Sequence, residues 1–135
     1  MRDFKKILVI SIVMLVLDVI WLKFGIGPSF SKMVSNIQGK TTTINYYYAA
    51  GAYIFMIISF YQFIVKKNSN YFDSYLLGII IFAVFDLTSA ALFDDWKLEL
   101  LVLDIMWGGL LYLTTHYIYN KIIKKKVKNN YIIIL

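Results

Sequence analysis

Three aspartates lie inside long apolar segments, and their cost constrains this chain more than any other feature. Asp18, Asp86 and Asp104 each fall well within a hydrophobic run long enough to cross a bilayer. An ionised carboxylate in hydrocarbon costs about 2.5–3.5 kcal/mol on insertion scales. Three such costs approach the stability of a whole domain, about 5–15 kcal/mol. The three side chains must therefore be neutral, paired or turned towards water, and we expect them to face the interior of a helix bundle.

The composition and the apolar runs predict a single integral membrane domain over residues 1–135. Hydrophobic residues make up 60% of the chain, whereas soluble domains are about 45–50% apolar. Four runs are long enough, at about 1.5 Å per helical residue, to cross a hydrocarbon core of about 30 Å. These spans lie at about residues 7–24, 44–65, 75–93 and 98–120, with a basic tail at 121–135.

A short amphipathic helix is predicted between the first two spans. Phe30, Met33, Val34 and Ile37 recur at helical spacing and form one apolar face, and a loosely ordered loop is the alternative. We expect this helix to lie in the membrane interface. The tight connection at residues 94–97 makes the last two spans antiparallel neighbours. The predicted fold class is therefore all-α, with four transmembrane helices in an antiparallel bundle and an interfacial helix after the first.

The positions of the basic residues predict the orientation of the chain. If both termini are cytoplasmic, ten of the 14 Lys and Arg residues lie inside and four lie outside, in agreement with the positive-inside rule. The lysines cluster at the ends of the spans, which suits contact with anionic lipid headgroups better than nucleic acid. The lipid bilayer is thus the expected partner, and nucleic acid is not. A chain this small is also expected to work as a homodimer or with another partner.

The residue types exclude some chemistry. The chain has no cysteine, which excludes disulfides and thiol chemistry. With a single histidine it also lacks the ligands of the common zinc sites. No cofactor follows from the sequence, and the identity of any bound metal stays unknown.

The three aspartates are predicted to form one layer in the outer half of the membrane. Each lies six or seven residues from the outer end of its span, or about 9–10 Å below the outer boundary. Trp21 follows Asp18 by three residues and Trp107 follows Asp104 by three, so each indole shares a helix face with its acid. Three acids and two indoles would then converge at one depth.

No basic side chain is available at this depth to balance the acids. Lys23 lies at the rim of its span, and His116, interpreted as an interfacial histidine, lies about 18 Å deeper than Asp104. Neighbouring carboxylates in a poor dielectric repel one another, so we expect at least one to stay neutral at pH 7 or a cation to bind between them. A hard cation would be held by Asp18, Asp86 and Asp104.

Three functions are compatible with this layer. The leading hypothesis is a pocket that binds or moves a proton, a cation or a small cationic solute, since tryptophan faces attract cations. The second is a structural or assembly protein, in which the aspartates form interhelical hydrogen bonds worth about 0.6–2 kcal/mol each. The third is a membrane enzyme or accessory factor that modifies lipid, although we assign no catalytic residue. The predicted binding residues are Asp18, Asp86, Asp104, Trp21, Trp107, Thr88 and Ser89.

Three motifs in order resemble those of a known family. Residues 17–22 (LDVIWL) match a Leu-Asp-x-Ile/Val-Trp-Leu motif, and residues 103–108 (LDIMWG) match a Val-Asp-Ile-Ala-Trp-Gly motif. Residues 85–89 (FDLTS), with Trp96 seven positions further on, match Tyr-Asp-Leu-Thr-Asn and its tryptophan, although Ser89 lacks the amide of the asparagine. The chain thus resembles a family of small predicted membrane proteins catalogued as domain of unknown function 2177. The resemblance implies a four-helix integral membrane protein and assigns no activity.

Overall fold

Every regular secondary-structure element in the part of the chain that the structure describes is a helix. The computed structural model describes the backbone of residues 2–134 and the side chains of residues 2–123. Four helices are long and apolar enough to cross a membrane, which confirms the prediction of an all-helical protein with four candidate spans. The helices are α1 (Arg2–Phe24), α2 (Gly27–Gln38), α3 (Tyr46–Phe60, continued by a π-helical turn at Tyr61–Val65), α4 (Tyr71–Leu92) and α5 (Leu98–Ile134).

Side-chain caps set two helix starts that the apolar pattern had misplaced. Asn45 caps α3 by accepting hydrogen bonds from two backbone amides of its first turn, so the helix begins one residue later, at Tyr46. Asn70 and Asp73 form a reciprocal capping box, which starts α4 before the predicted residue 75. Hydropathy misses these starts because the capping residues are polar.

The outer limits of the first and last helices also differ from the prediction. α1 begins at Arg2 rather than at residue 7. α5 continues to Ile134, whereas the prediction ended the fourth span at Asn120 and treated residues 121–135 as a tail. Lysine is a good helix former, so a basic composition ends a membrane span without ending the helix.

α4 and α5 pack more closely than any other pair of helices in the described chain. A methyl group on Gly78 would lie 2.1 Å from the carbonyl oxygen of Gly108, so the two backbones touch at this point. Further along, Ser74 hydrogen-bonds His116, while Tyr71 accepts from Asn120. Partners early in α4 lie late in α5, so the two helices run in opposite directions.

One apolar cluster joins α1, α3 and α5 at the end of the bundle remote from α2. Its buried members are Ile10, Met14, Phe60, Ile64, Leu111, Tyr112 and Tyr119. α3 packs on α1 and does not pack closely on α4 within the described residues. The two helices α3 and α4 therefore leave a cleft between them.

α2 is helical, as its pattern predicted, and its apolar face packs on the protein. Met33 is only 2% exposed and contacts Ile26 and Leu100, with Trp21 and Trp96 at the edge of the same cluster. α2 therefore covers one end of the bundle, which we call the α2 end. The ends of α1 and α4 and the start of α5 lie there.

Candidate binding site

The two copies of the Asp-x-x-Trp motif pair with each other across α1 and α5. Trp107 Nε1 donates to Asp18 Oδ1 at 2.8 Å, and Trp21 Nε1 donates a longer hydrogen bond to Asp104 Oδ1 at 3.5 Å. The two indole rings stack with centroids 4.7 Å apart and planes 10° apart. Each tryptophan therefore serves the aspartate of the other helix, which locks α1 and α5 together at the depth of the acids.

A second donor completes the hydrogen bonding of Asp18. The Tyr53 hydroxyl of α3 donates to Asp18 Oδ2, so both carboxylate oxygens have partners, and the residue is 7% exposed. Tyr53 is not among the binding residues predicted from the sequence, which drew on the other three spans. Tyr53 lies seven residues, or about 10 Å, into α3, and this depth was the available signal.

Asp86 has the opposite environment. It is fully buried, and neither of its carboxylate oxygens accepts a hydrogen bond from the part of the chain that the structure describes. Asp104 lies close enough for the two charges to interact, and Trp96 is also close. The Trp96 Nε1 is buried without a hydrogen-bond partner among the described residues. Among the three acids, Asp86 is therefore the one whose carboxylate oxygens both lack a hydrogen-bond partner in the described residues.

A cavity of about 560 Å³ extends from Asp104 along the cleft between α3 and α4. Phe55, Phe82 and Phe85 form much of its wall, and Ser59 contributes a hydroxyl far from Asp104. That hydroxyl is already bonded, since it donates to a carbonyl of its own helix and pairs with a tyrosine of α5. Among the described residues that line the cavity, Asp104, which is 8% exposed, is the one acid or base, and the others apart from Ser59 are apolar.

The hydroxyls of Thr88 and Ser89 do not reach the carboxylates. Thr88 is exposed, and Ser89 Oγ donates to the Phe85 carbonyl of its own helix at 2.8 Å. Ser89 also lines a different cavity, of about 310 Å³, which lies under α2. The structure thus brings together Asp18, Trp21, Trp107, Asp104 and Asp86, and leaves these two residues outside.

The acids do not form a metal cage. Within the described residues, no group of three or more His, Cys, Asp or Glu side chains could hold a metal ion. Asp18 is directed at Trp107 and Tyr53 instead of at the other two acids. The structure therefore gives no support to the three-aspartate site for a hard cation.

His116, which the sequence predicts to be an interfacial histidine, is buried between helices in the structure. It is 6% exposed and its Nδ1 hydrogen-bonds the fully buried Ser74, while the Tyr71 ring lies 4.6 Å away between centroids. Gly78 and its neighbours hold α4 close to α5, and this contact buries the histidine. His116 belongs to the α4–α5 contact and not to the acidic site.

The model of a predicted membrane protein family, domain of unknown function 2177, matches residues 4–119. The chain belongs to this family. The resemblance inferred from the motifs is thereby confirmed, and all three motifs lie inside the matched region. Two of them are the Asp-x-x-Trp copies that pair across α1 and α5. Neither a curated protein nor a solved structure matches the chain significantly.

Proposed function

We propose that this membrane protein binds a proton or a cationic group between Asp86 and Asp104. The observation that supports the proposal is the complete burial of Asp86, with no hydrogen bond to either oxygen from the described residues and a second acid beside it. A buried, unpaired carboxylate costs several kcal/mol, so such groups are normally neutralised or paired. A proton shared by the two acids, or a bound cation, supplies the missing partner.

The acidic layer divides into two parts with different roles. Asp18 accepts hydrogen bonds from Trp107 and Tyr53, which is the interhelical bonding that the structural hypothesis describes. Asp86 and Asp104 have a much poorer supply of donors. The structural hypothesis therefore fits Asp18, and the binding hypothesis fits the other two acids.

The surroundings favour an organic cation or a proton over a metal ion. A metal ion needs several oxygen ligands, whereas the walls beside Asp104 are apolar and aromatic. Phe82 and Phe85 line the cavity together with Asp104. The faces of aromatic rings attract ammonium groups. A small alkylammonium ion is therefore a suitable probe.

The membrane arrangement belongs to the same proposal. We propose an antiparallel bundle with both termini cytoplasmic, which puts the Asp86–Asp104 pair in the outer half of the bilayer and α2 at the outer interface. A homodimer within the bilayer is the proposed working form. The ten basic residues on the inner side support this orientation.

Binding of ethylammonium to the purified protein in lipid nanodiscs tests the proposal. Isothermal titration calorimetry should detect binding to the wild type, and Asp86→Asn or Asp104→Asn should weaken it about tenfold or more, since each removes a charge partner. Asp94→Asn is the matched control, because Asp94 is an exposed acid at the end of α4 and should leave binding unchanged.

Infrared spectroscopy tests the proton alternative. A protonated carboxyl band in the wild type at neutral pH that disappears in Asp86→Asn or Asp104→Asn would support a shared proton. If the wild type shows neither this band nor ethylammonium binding, the proposal is wrong and the acids are structural.

Proton flux in reconstituted vesicles distinguishes transport from binding. If the flux equals that of empty vesicles, the protein binds the proton or cation without transporting it.

A further inference from the structure

The cleft between α3 and α4 opens on the outside of the bundle beside Ala52, and Phe55 and Met56 of α3 line it further along. A methyl group added to Gly51 would meet no atom within 4 Å, and the neighbouring Ala52 is an exposed part of the cavity lining. On either side of the cleft, Phe55 is 75% exposed and Phe85 is 52% exposed. In a membrane, side chains this apolar and this exposed face acyl chains. The opening therefore leads sideways into lipid.

The α2 end is closed above Asp104. Leu100 lies one helical turn before Asp104 on the same face of α5 and is buried against Met33 and Ile26. The stacked Trp21 borders the same cluster. A ligand of Asp104 therefore has an open route from the bilayer and a covered route from the aqueous side.

The shape and the charge of the cavity also indicate its occupant. Asp104 is the charged group at one end. Ser59 marks the other end, because it lies six residues, or about 9 Å, along α3 from Tyr53, which bonds Asp18 at the depth of the acids. Between them the lining is apolar, and the volume of about 560 Å³ lies within the range of small-molecule sites.

We infer that the cavity takes a cationic amphiphile from the bilayer, with its ammonium head on Asp104 and its alkyl chain along the α3–α4 cleft. This inference rests on the proposed function and adds the class of ligand and its route of entry. The single acid provides charge complementarity for the head, and the three phenylalanines provide apolar contact for the chain. A ligand without an apolar chain would leave most of the cavity empty.

Comparison of n-decylammonium with ethylammonium and n-decanol tests the inference. Binding is measured on the full chain in nanodiscs by calorimetry, with empty nanodiscs as the correction for partitioning into lipid. We expect decylammonium to bind wild type at least about tenfold more tightly than ethylammonium, and more tightly than decanol. Asp104→Asn should weaken the binding of both ammonium ions.

A substitution that fills the cleft tests the binding of the alkyl chain separately from the binding of the ammonium head. Met56 lines the cavity between Ala52 and Ser59, away from the level of Asp104, so Met56→Trp should remove the advantage of decylammonium over ethylammonium while keeping ethylammonium binding. Ile58→Trp is the matched control, because Ile58 is 48% exposed on the same helix and lies outside the cavity lining. It should bind both ions as wild type does.

Each contrary outcome has a distinct meaning. If ethylammonium binds as tightly as decylammonium, or if decanol equals decylammonium, the amphiphile inference is wrong although a cation site can stand. If neither ammonium ion binds, the proposed cation site fails as well. If decylammonium binding survives Asp104→Asn, or falls equally in Met56→Trp and Ile58→Trp, the alkyl chain only adsorbs to the outer surface of the protein and the inference is overturned. The three-ligand comparison needs only wild type, so it decides the question even if a variant does not fold.

Discussion

At the scale of single residues, Asp18 and Asp86 show how differently two buried acids can be treated. Asp18 receives two hydrogen bonds from neighbouring helices, whereas Asp86 receives none from the described residues. Net hydrogen bonds to charged groups contribute about 1.5–3 kcal/mol each, and a buried group left without them costs a similar amount. Asp18 therefore links three helices by hydrogen bonds. Asp86 would be stabilised by a bound proton or cation, as proposed above.

The hydrogen bond from Tyr53 to Asp18 should stabilise the fold measurably. Tyr53→Phe removes the donor and keeps the ring, so we expect the free energy of unfolding to fall by about 1–3 kcal/mol. The measurement is unfolding in mixed micelles followed by circular dichroism. Tyr48→Phe, at an 81% exposed position of the same helix, should change nothing. Equal midpoints for Tyr53→Phe and wild type would mean that this bond does not hold α3 in place.

Trp107→Phe should destabilise the protein more than Trp21→Phe. Both lose stacking of the indole pair, but the Trp107 bond to Asp18 is 2.8 Å long and the Trp21 bond to Asp104 is 3.5 Å long. Hydrogen bonds weaken with length, so we expect a difference of about 1 kcal/mol between the variants in the same unfolding experiment. Equal destabilisation would show that the two indoles have equivalent roles, and the reverse order would show that the longer bond is the stronger one.

The sequence predicted which residues meet in this layer better than it predicted how they bond. The depth of Asp18, Asp86 and Asp104 followed from counting along the spans, and the spacing of three put each indole near its acid. The indoles nevertheless reach across to the opposite helix. The spacing of residues within one helix determines the direction in which each side chain points from the helix axis. The partner that the side chain meets depends on which helix packs on that side.

At the scale of helices, the glycine contact between α4 and α5 fixes the closest crossing in the molecule. From the sequence alone, Gly108, four residues after Asp104, could leave space beside that carboxylate. In the structure the space is filled, since a methyl group on Gly108 would lie 2.4 Å from the Phe82 ring. A glycine in a span can mean either a gap or a close approach, and only the neighbouring helix decides between them.

Gly78→Ala should therefore be costly although alanine is the better helix former. The added methyl group would clash with the backbone of α5 at 2.1 Å, so we expect a loss of about 1–3 kcal/mol or more in unfolding free energy. Gly51→Ala is the matched control, because its methyl group meets open space and should be neutral or stabilising by up to about 1 kcal/mol. If both variants behave alike, the α4–α5 crossing is looser than the structure has it.

The amphipathic helix α2 gives a second example at this scale. Its pattern predicted the helix and the residues of its apolar face correctly, yet the pattern is the same for a face on lipid and a face on protein. Met33 packs against Leu100 and Ile26, so at least the centre of the face covers the bundle. In the proposed site, this covering closes the route from the aqueous side to Asp104.

At the scale of the whole molecule, the predicted orientation is open to a direct test. The chain has no cysteine, so single cysteines can be introduced without removing others. Lys40→Cys, between α2 and α3, should react with a membrane-impermeant maleimide added outside intact cells. Lys67→Cys, between α3 and α4, should react only after the membrane is opened. The opposite labelling would invert the proposed topology and put the acid pair in the inner half of the bilayer.

The amino-acid sequence by itself determined the four candidate membrane spans, the relative positions of the acids along them and the shortage of basic residues within them, because hydropathy, rise per residue and charge are properties of the chain in order. Tertiary packing alone decided that Asp18 is satisfied and Asp86 is not, that α3 stands away from α4, and that Tyr53 joins the site. These outcomes depend on which side chains from distant segments meet, and the helix contacts that bring them together are set by small differences in packing shape that hydropathy does not record.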